Sequence, residues 1–317
     1  MEHSEVIIIG GGPAGSACAG KLRQHNVDCL VLDRAVFPRD KLCAGWITPE
    51  VLDDLNTSPP DYPHGIIPLK KMYITFRGIK FKVPTLQYSI RRYEFDNWLL
   101  QRSRAPVITH NVKQIERRNG SFIIDGAYSC NHIVGAGGTT CPVYKTFFNK
   151  SESRLDENLI VTQEEEVPYE YTDPNCYLWF MENKLPGYAW YVPKANGYIN
   201  IGVGGKEYGL KKQNDSIKRH WDILVRKLDE KGLVTGYDFK PKGHSYYLRN
   251  KESKLRRGNA YIIGDAAALA TVDMGEGIGP AVRSGIYAAE AIAAGKKYTL
   301  DDIAKRSIRW KWLRFGK

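Results

Sequence analysis

Residues 5–15 read "EVIIIGGGPAG". The β-branched run Val6–Ile9 has the composition of a strand buried on both faces. It enters Gly10-x-Gly12-x-x-Gly15, and "SACAGKLRQH" (16–25) then reads as a helix rich in small residues. Glycines at these positions let the backbone approach a pyrophosphate, and the helix N-terminus offers N–H groups and the positive end of its dipole. Gly15 allows the helix to pack closely on the strand. A second strand, "DCLVLD" (28–33), ends at Asp33, where a carboxylate is placed to accept from ribose hydroxyls. The strand–turn–helix–strand–acid order predicts a Rossmann-type α/β domain that binds a dinucleotide.

Working outward, the 317 residues allow two small domains, or one domain carrying an inserted lobe. At 43% apolar and 26% charged the composition is that of a globular protein with a large core. Apolar runs such as "VIII" (6–9) are far too short to span a bilayer, and "MEHSEV" lacks the basic region of a signal peptide. A cytoplasmic protein is expected. Six cysteines at 18, 29, 43, 130, 141 and 176 form no C-x-x-C pair, which argues against a zinc site or a disulfide framework. The net charge of +11 calls for an anionic partner such as phosphate groups or an acidic membrane. The tail from Lys305 to Lys317 is basic throughout. On a helix, Ile308, Trp312 and Phe315 would share a face, giving either an interfacial helix on anionic lipid or a basic helix packed on the protein. No nucleic-acid motif accompanies the charge.

Residues 259–279, "NAYIIGDAAALATVDMGEGIG", repeat the theme of a short strand, an aspartate at its end and a glycine turn, with "PAVRSGIYAAEAIAAG" as the following helix. An aspartate there can bond a sugar-alcohol chain, and a glycine turn at a helix start can stabilise negative charge on a ring. Together with "KLCAGW" (41–46), "RRYEFDNWL" (91–99) and "GYAWYVPK" (187–194), these segments resemble the geranylgeranyl reductase family of flavoproteins, within the p-hydroxybenzoate-hydroxylase-like group. The resemblance covers nearly the whole chain. "GGGPAGS" and the 264–290 segment are common to many FAD enzymes, whereas the middle three are closer to the reductases.

The resemblance implies FAD as cofactor. Gly10, Gly12, Pro13, Ala14 and Gly15 would hold its pyrophosphate, Asp33 and Arg34 its adenosine ribose, and Arg92 its phosphates, with Phe95 and Asp96 anchoring the arginine's helix. Val112 would lie beside the nucleotide. Gly264 and Asp265 would meet the pyrophosphate–ribityl region, and the turn Gly275–Gly279, including Gly277 and Ile278, the pyrimidine edge of the flavin. Cys43, Ala44 and Gly45 would run beside the isoalloxazine. One departure stands out: relatives carry Gly-Ala-Asp-Gly where this chain has "VGAGGTTCPV" (134–143), with Gly137 replacing the acid. That change counts against direct NADPH use in the manner of a hydroxylase. The electron donor is expected to be NADPH or a reduced ferredoxin.

Between about 150 and 255 the chain turns aromatic and β-rich: "LIVTQEEEVPYEY", "CYLWFMEN", "GYAWYVPKANGYINIGVGG" and "GHSYYLR". These segments predict an inserted antiparallel sheet, with helix 210–231 within it and 70–88 joining as a hairpin. The expected division is 1–70, 89–150 and 255–317 for a discontinuous FAD-binding domain, and 71–88 and 151–254 for the substrate domain. Alternation puts Tyr188 and Trp190 on one face, either as pocket or as plain aromatic core. By the resemblance, Trp46, Tyr188 and Trp190 line a substrate pocket, and Cys43 or Tyr188 is a candidate proton donor. The implied activity is saturation of carbon–carbon double bonds in an isoprenoid or other lipid-like, apolar substrate. A flavin monooxygenase, hydroxylase or halogenase-like, is the alternative, although flavin halogenases place tryptophan where Tyr188 stands. An electron-transfer flavoprotein is the third reading. Longer family members continue beyond the last cofactor helix, so a more open cavity or a smaller substrate is also an expectation.

Overall fold

The computed structural model describes residues 1–149, 154–249 and 254–307. The basic segment 308–317, with Ile308, Trp312 and Phe315, lies outside them. Among the described residues the strands form two eight-stranded sheets, one in each of two compact units.

The first unit comprises 1–39, 96–154 and 246–317. Its sheet is parallel at the centre, in the order Ala260–Ile262, Tyr128–Gly135, Glu2–Ile9, Cys29–Asp33, Val107–Thr109. The apolar run 6–9 is buried on both faces because alternate residues serve two cores. Ile7 and Ile9 join Leu30, Leu32 and Ile133 on one side. Val6 and Ile8 join Val31, Val134 and Tyr261 on the other, under the helices Pro13–Gln24 and Ile278–Ala294. These helices pack at backbone distance: a Cβ on Gly285 would stand 2.2 Å from the Ala14 carbonyl oxygen.

The second unit comprises 40–95 and 155–245. Its sheet runs Lys242–Tyr247, Leu159–Pro168, Tyr198–Lys206, Gly187–Lys194, Cys176–Phe180, Ile67–Phe76, Ile79–Ser89, Trp46–Ile47. It is mostly antiparallel, with Cys176–Phe180 and Ile67–Phe76 paired in parallel. One face carries Trp179, Tyr191, Ile199, Ile201 and Val203, covered by Trp221, Leu224 and Leu228 of the helix Ile217–Glu230. The expected boundary at residue 70 is corrected. Residues 40–70 and 89–95 belong to the β-rich unit, because Trp46–Ile47 and Ile67–Phe76 both pair with Ile79–Ser89.

Candidate functional site

In the first unit the glycine turn is built by close approach. Gly10 adopts φ +113°, and a side chain there would strike the Ala136 carbonyl oxygen at 2.4 Å. A Cβ on Gly15 would lie 1.9 Å from the Gly10 oxygen, so the helix start sits directly on the turn. Pro13 occupies the first turn and no side chain caps the helix, whose N-terminal N–H groups are therefore available to an anion. Asp33 is buried, and its two oxygens accept from the backbone N–H groups of Gly11 (2.6 Å) and Ala35 (2.8 Å). A carboxylate retains further lone pairs beyond these two. A cradle that a Cβ would fill, an uncapped helix start and a carboxylate at the neighbouring strand end together fit a dinucleotide.

Arg39 completes this side. A Cβ on Gly12 would come within 3.5 Å of its guanidinium, which stacks on Phe37 and pairs with the fully buried Asp96 at 3.2 Å. Arg39 was missed in the sequence, where Arg92 drew attention. Arg92 is buried at the start of the helix Arg92–Arg102, and its charge acts on Glu164 in the second unit. Arg34 is exposed. Val112 is half-buried against the core that contains Ile9 and Leu32.

The second glycine turn lies in the same unit. Gly264 has φ +57° and donates to Ser284 Oγ at 3.0 Å. Asp265 is half-buried, its Oδ1 being 3.4 Å from where a Gly277 Cβ would stand. Gly275 has φ +63° and lies under the Tyr246 hydroxyl, and Gly277 opens the helix at Ile278. The Glu276 carboxylate accepts from Gly279 N at 2.6 Å and so already occupies part of this helix start. Gly137 sits against Cys141 and Pro142.

In the second unit, strand register assembles a face that the sequence showed only in part. Residues paired across strands share a face, so Phe180, Tyr188, Gly204 and Thr162 form one row, and Leu178, Trp190, Gly202 and Glu164 the next. Phe180 and Tyr188 stack at 4.7 Å, with Trp190 5.7 Å further on. Gly202 makes room for the indole: a Cβ there would fall 2.2 Å from the ring. Trp190 Nε1 donates to Asn200 Oδ1 at 2.7 Å. Glu164 is fully buried, and one of its oxygens has no hydrogen-bond partner. Burial lifts its carboxyl to about 7, against the pull of Lys41, Asn200, Lys194 and Arg92.

Lys194 lies fully buried at the end of the same strand as Trp190. Its ammonium donates to the carbonyls of Ala44, Gly45 (2.9 Å) and Ile90 (2.8 Å), while burial lowers it to about 8. With Ser89 Oγ donating to Pro193 O at 2.7 Å, this clamp closes one end of the sheet and fixes the segment around Cys43. Cys43 is half-buried, with its sulfur accepting from Gly45 N, while Cys18, Cys29, Cys130, Cys141 and Cys176 are buried. Burial pushes the thiols of Cys29 to about 11 and of Cys130 and Cys176 to about 12, so they are inert. Trp46 is buried opposite Ser89. Cys43 and Tyr188 are not brought together. Cys43 is near Lys194, six residues along the strand from Tyr188, or about 20 Å at the rise of an extended chain.

Comparison with known proteins agrees with this architecture. A family model described as an NAD(P)-binding Rossmann-like domain matches residues 8–56. An uncharacterized protein of Methanosarcina barkeri is 30% identical over 95% of this chain and 78% of its own. A menaquinone reductase of Mycobacterium tuberculosis is 25% identical over 92% and 77%, and a digeranylgeranylglycerophospholipid reductase of Methanosphaera stadtmanae is 22% identical over 98% and 82%. Among solved structures, a geranylgeranyl bacteriochlorophyll reductase-like protein from Thermoplasma acidophilum superposes with a TM-score of 0.78 at 18% identity, covering 93% of this chain and 79% of that one. The flavin-dependent brominase Bmp2 follows at 0.73 and 18%, covering 94% and 81%, and shares the fold. Rossmann unit, second sheet and relatives together define an enzyme of the FAD-dependent oxidoreductase class. Within that class the chain is geranylgeranyl reductase-like, its named relatives being reductases of this kind.

Proposed function

We propose that the protein saturates carbon–carbon double bonds of an isoprenoid or other lipid-like substrate. The observation that carries this reading is the sheet face of the second unit, where Phe180, Tyr188 and Trp190 lie over a glycine floor beside one buried carboxyl. Apolar walls with few polar groups suit a chain of isoprene units. The names of the reductase relatives support it.

Gly10, Gly12, Pro13, Ala14, Gly15 and Asp33 are the residues we assign to FAD in the first unit, with Arg39 as a further cation beside the turn. Gly264, Asp265, Gly275, Gly277 and Ile278 are the second assigned group. Bound and reduced, FAD supplies the hydride; its electrons come from NADPH or a reduced ferredoxin. The chain's own residues bind, orient and exclude water. Lys194 holds the Cys43–Gly45 segment in place. Trp190, fixed by Asn200 and Gly202, forms the pocket wall with Trp46 and Tyr188. Protonated Glu164, in register beside Trp190, is the acid we assign to complete the saturation, because a carboxyl raised to about 7 retains its proton near neutrality.

The test is a single-turnover reaction without oxygen. The FAD-loaded protein is reduced with dithionite and mixed with a geranylgeranyl-bearing phospholipid or a menaquinone, and the product is weighed by mass spectrometry. A gain of two hydrogens per double bond is the expected result. Reduced protein that leaves both alkenes unchanged and is reoxidised only by oxygen overturns the reading in favour of a monooxygenase.

A further inference from the structure

The strands Ile67–Phe76 and Ile79–Ser89 form a hairpin turning at Arg77-Gly78. Its register sorts the side chains by face. Met72 pairs with Val83, Ile74 with Phe81 and Phe76 with Ile79, so one face is wholly apolar. Burial falls away toward the turn: Met72 is buried, whereas Val83 is 37% exposed, Phe76 41%, Phe81 48% and Ile79 62%. Four large apolar side chains at a strand turn form a contiguous exposed patch, which needs a partner.

Charge identifies that partner. Between residues 67 and 89 the chain has Lys70, Lys71, Arg77, Lys80 and Lys82 and no aspartate or glutamate. All five are exposed, and none has a carboxylate partner among the described residues. Lys71 and Lys82 both rest near the Tyr73 ring on the other face, and Arg77 lies over Phe76 at the turn. A second copy of the chain seated here would bring like charges together. The apolar row is also continuous with the enzyme's own aromatic face, since Phe76 pairs with Phe180 and Phe180 with Tyr188.

We propose that this hairpin docks the protein on an anionic lipid bilayer, with Phe76, Ile79, Phe81 and Val83 entering the acyl boundary and the five cations resting on the headgroups. Docking of this kind stands whichever reaction the enzyme performs, and it is read without turnover.

The experiment is flotation of the full chain with vesicles of phosphatidylcholine alone or mixed with phosphatidylglycerol. The protein is expected to float with the mixed vesicles and to dissociate at high salt. Charge reversal in K80E/K82E should lower the partition coefficient by roughly 25-fold or more, at about fivefold per lost cation. I79S/F81S should lower it roughly tenfold or more, because the apolar anchor is gone. The F81W indole should be quenched by nitroxide on the acyl chain. These positions are exposed, so circular dichroism should match the parent protein. If the serine pair fails to fold, the charge reversal and the F81W quenching decide the matter. Wild type that stays with the lipid-free fraction, variants that float as wild type does, or an indole untouched by acyl nitroxide each overturn the proposal. So does a dimer that I79S/F81S dissociates without changing flotation, which would make the patch a copy–copy interface.

Discussion

Replacing Glu164 by glutamine tests whether the carboxyl on the aromatic face is kept neutral by its surroundings. Burial moves its titration from an ordinary 4.5 to about 7. A folded-state pKa raised in this way contributes stability that is complete below pH 4.5 and lost as the pH climbs through 7. The size follows from linkage: at about 1.4 kcal/mol per pH unit, the contribution is about 3 kcal/mol. Glutamine mimics the protonated form at every pH and retains a partner for Asn200. The unfolding free energies of E164Q and wild type should therefore coincide below pH 4.5. Between pH 4.5 and 7 they should diverge, reaching about 3 kcal/mol in favour of the variant by pH 8. Lys194 titrates in both proteins and largely cancels. Urea unfolding in a series of buffers measures the difference directly. A gap that does not change with pH refutes the reasoning. A wild type that gains on the variant as pH rises refutes it more strongly, because the carboxylate would then be stabilised as an anion by Lys41 and Lys194. The same variant should lose roughly 100-fold or more in turnover if Glu164 is the acid.

Other outcomes follow from single contacts. Gly15→Val should abolish FAD retention, read as loss of the flavin absorption band, and destabilise the fold by about 1–3 kcal/mol, since even a Cβ meets the Gly10 oxygen at 1.9 Å. Arg39→Ala removes the guanidinium that pairs with the fully buried Asp96 and should lower the unfolding free energy by about 1–3 kcal/mol in urea, with Arg39→Lys recovering part of it. Lys194→Met takes the ammonium from the carbonyls of Ala44, Gly45 and Ile90, of which Gly45 O keeps the Ile90 N–H, and should cost about 2 kcal/mol or more. Gly202→Ala must displace the Trp190 indole, so its expected signature is a shifted tryptophan emission and a raised KM, with FAD binding unchanged.

The Rossmann-type unit was legible because each of its signals is local. The run 6–9, the glycine spacing and Asp33 all lie within one strand–helix–strand unit, whose geometry is set by neighbours in the chain. Tyr188 and Trp190 were legible as a same-face pair for the same reason. Glu164 was not, since it stands in a run of three glutamates and only pairing with Tyr198–Lys206 puts it opposite Gly202. Lys194 looks like an ordinary charged strand end, and its burial comes from residues about 100 and 150 positions away. The expected boundary at residue 70 failed in the same way. Nothing in "KLCAGWITPE" announces that Trp46 will pair with Ser89. What the sequence concealed was long-range pairing, and the two buried ionisable groups of the sheet depend on it.

The contact between Gly285 and Ala14 has a consequence for how the protein is made. The helix Pro13–Gln24 takes its backbone-close packing partner from Ile278–Ala294, made about 260 residues later. At typical synthesis rates of about 5–20 residues per second, the nascent chain waits roughly 13–50 s with that small-residue surface uncovered. The strand Ala260–Ile262, which extends the central sheet beside Tyr128–Gly135, arrives just as late. The N-terminal fragment can form its strand and turn early, but its layer closes only when the last quarter of the chain has been translated. Chains truncated before residue 278 are therefore expected to aggregate, because the order in which this fold is threaded leaves that surface uncovered until late.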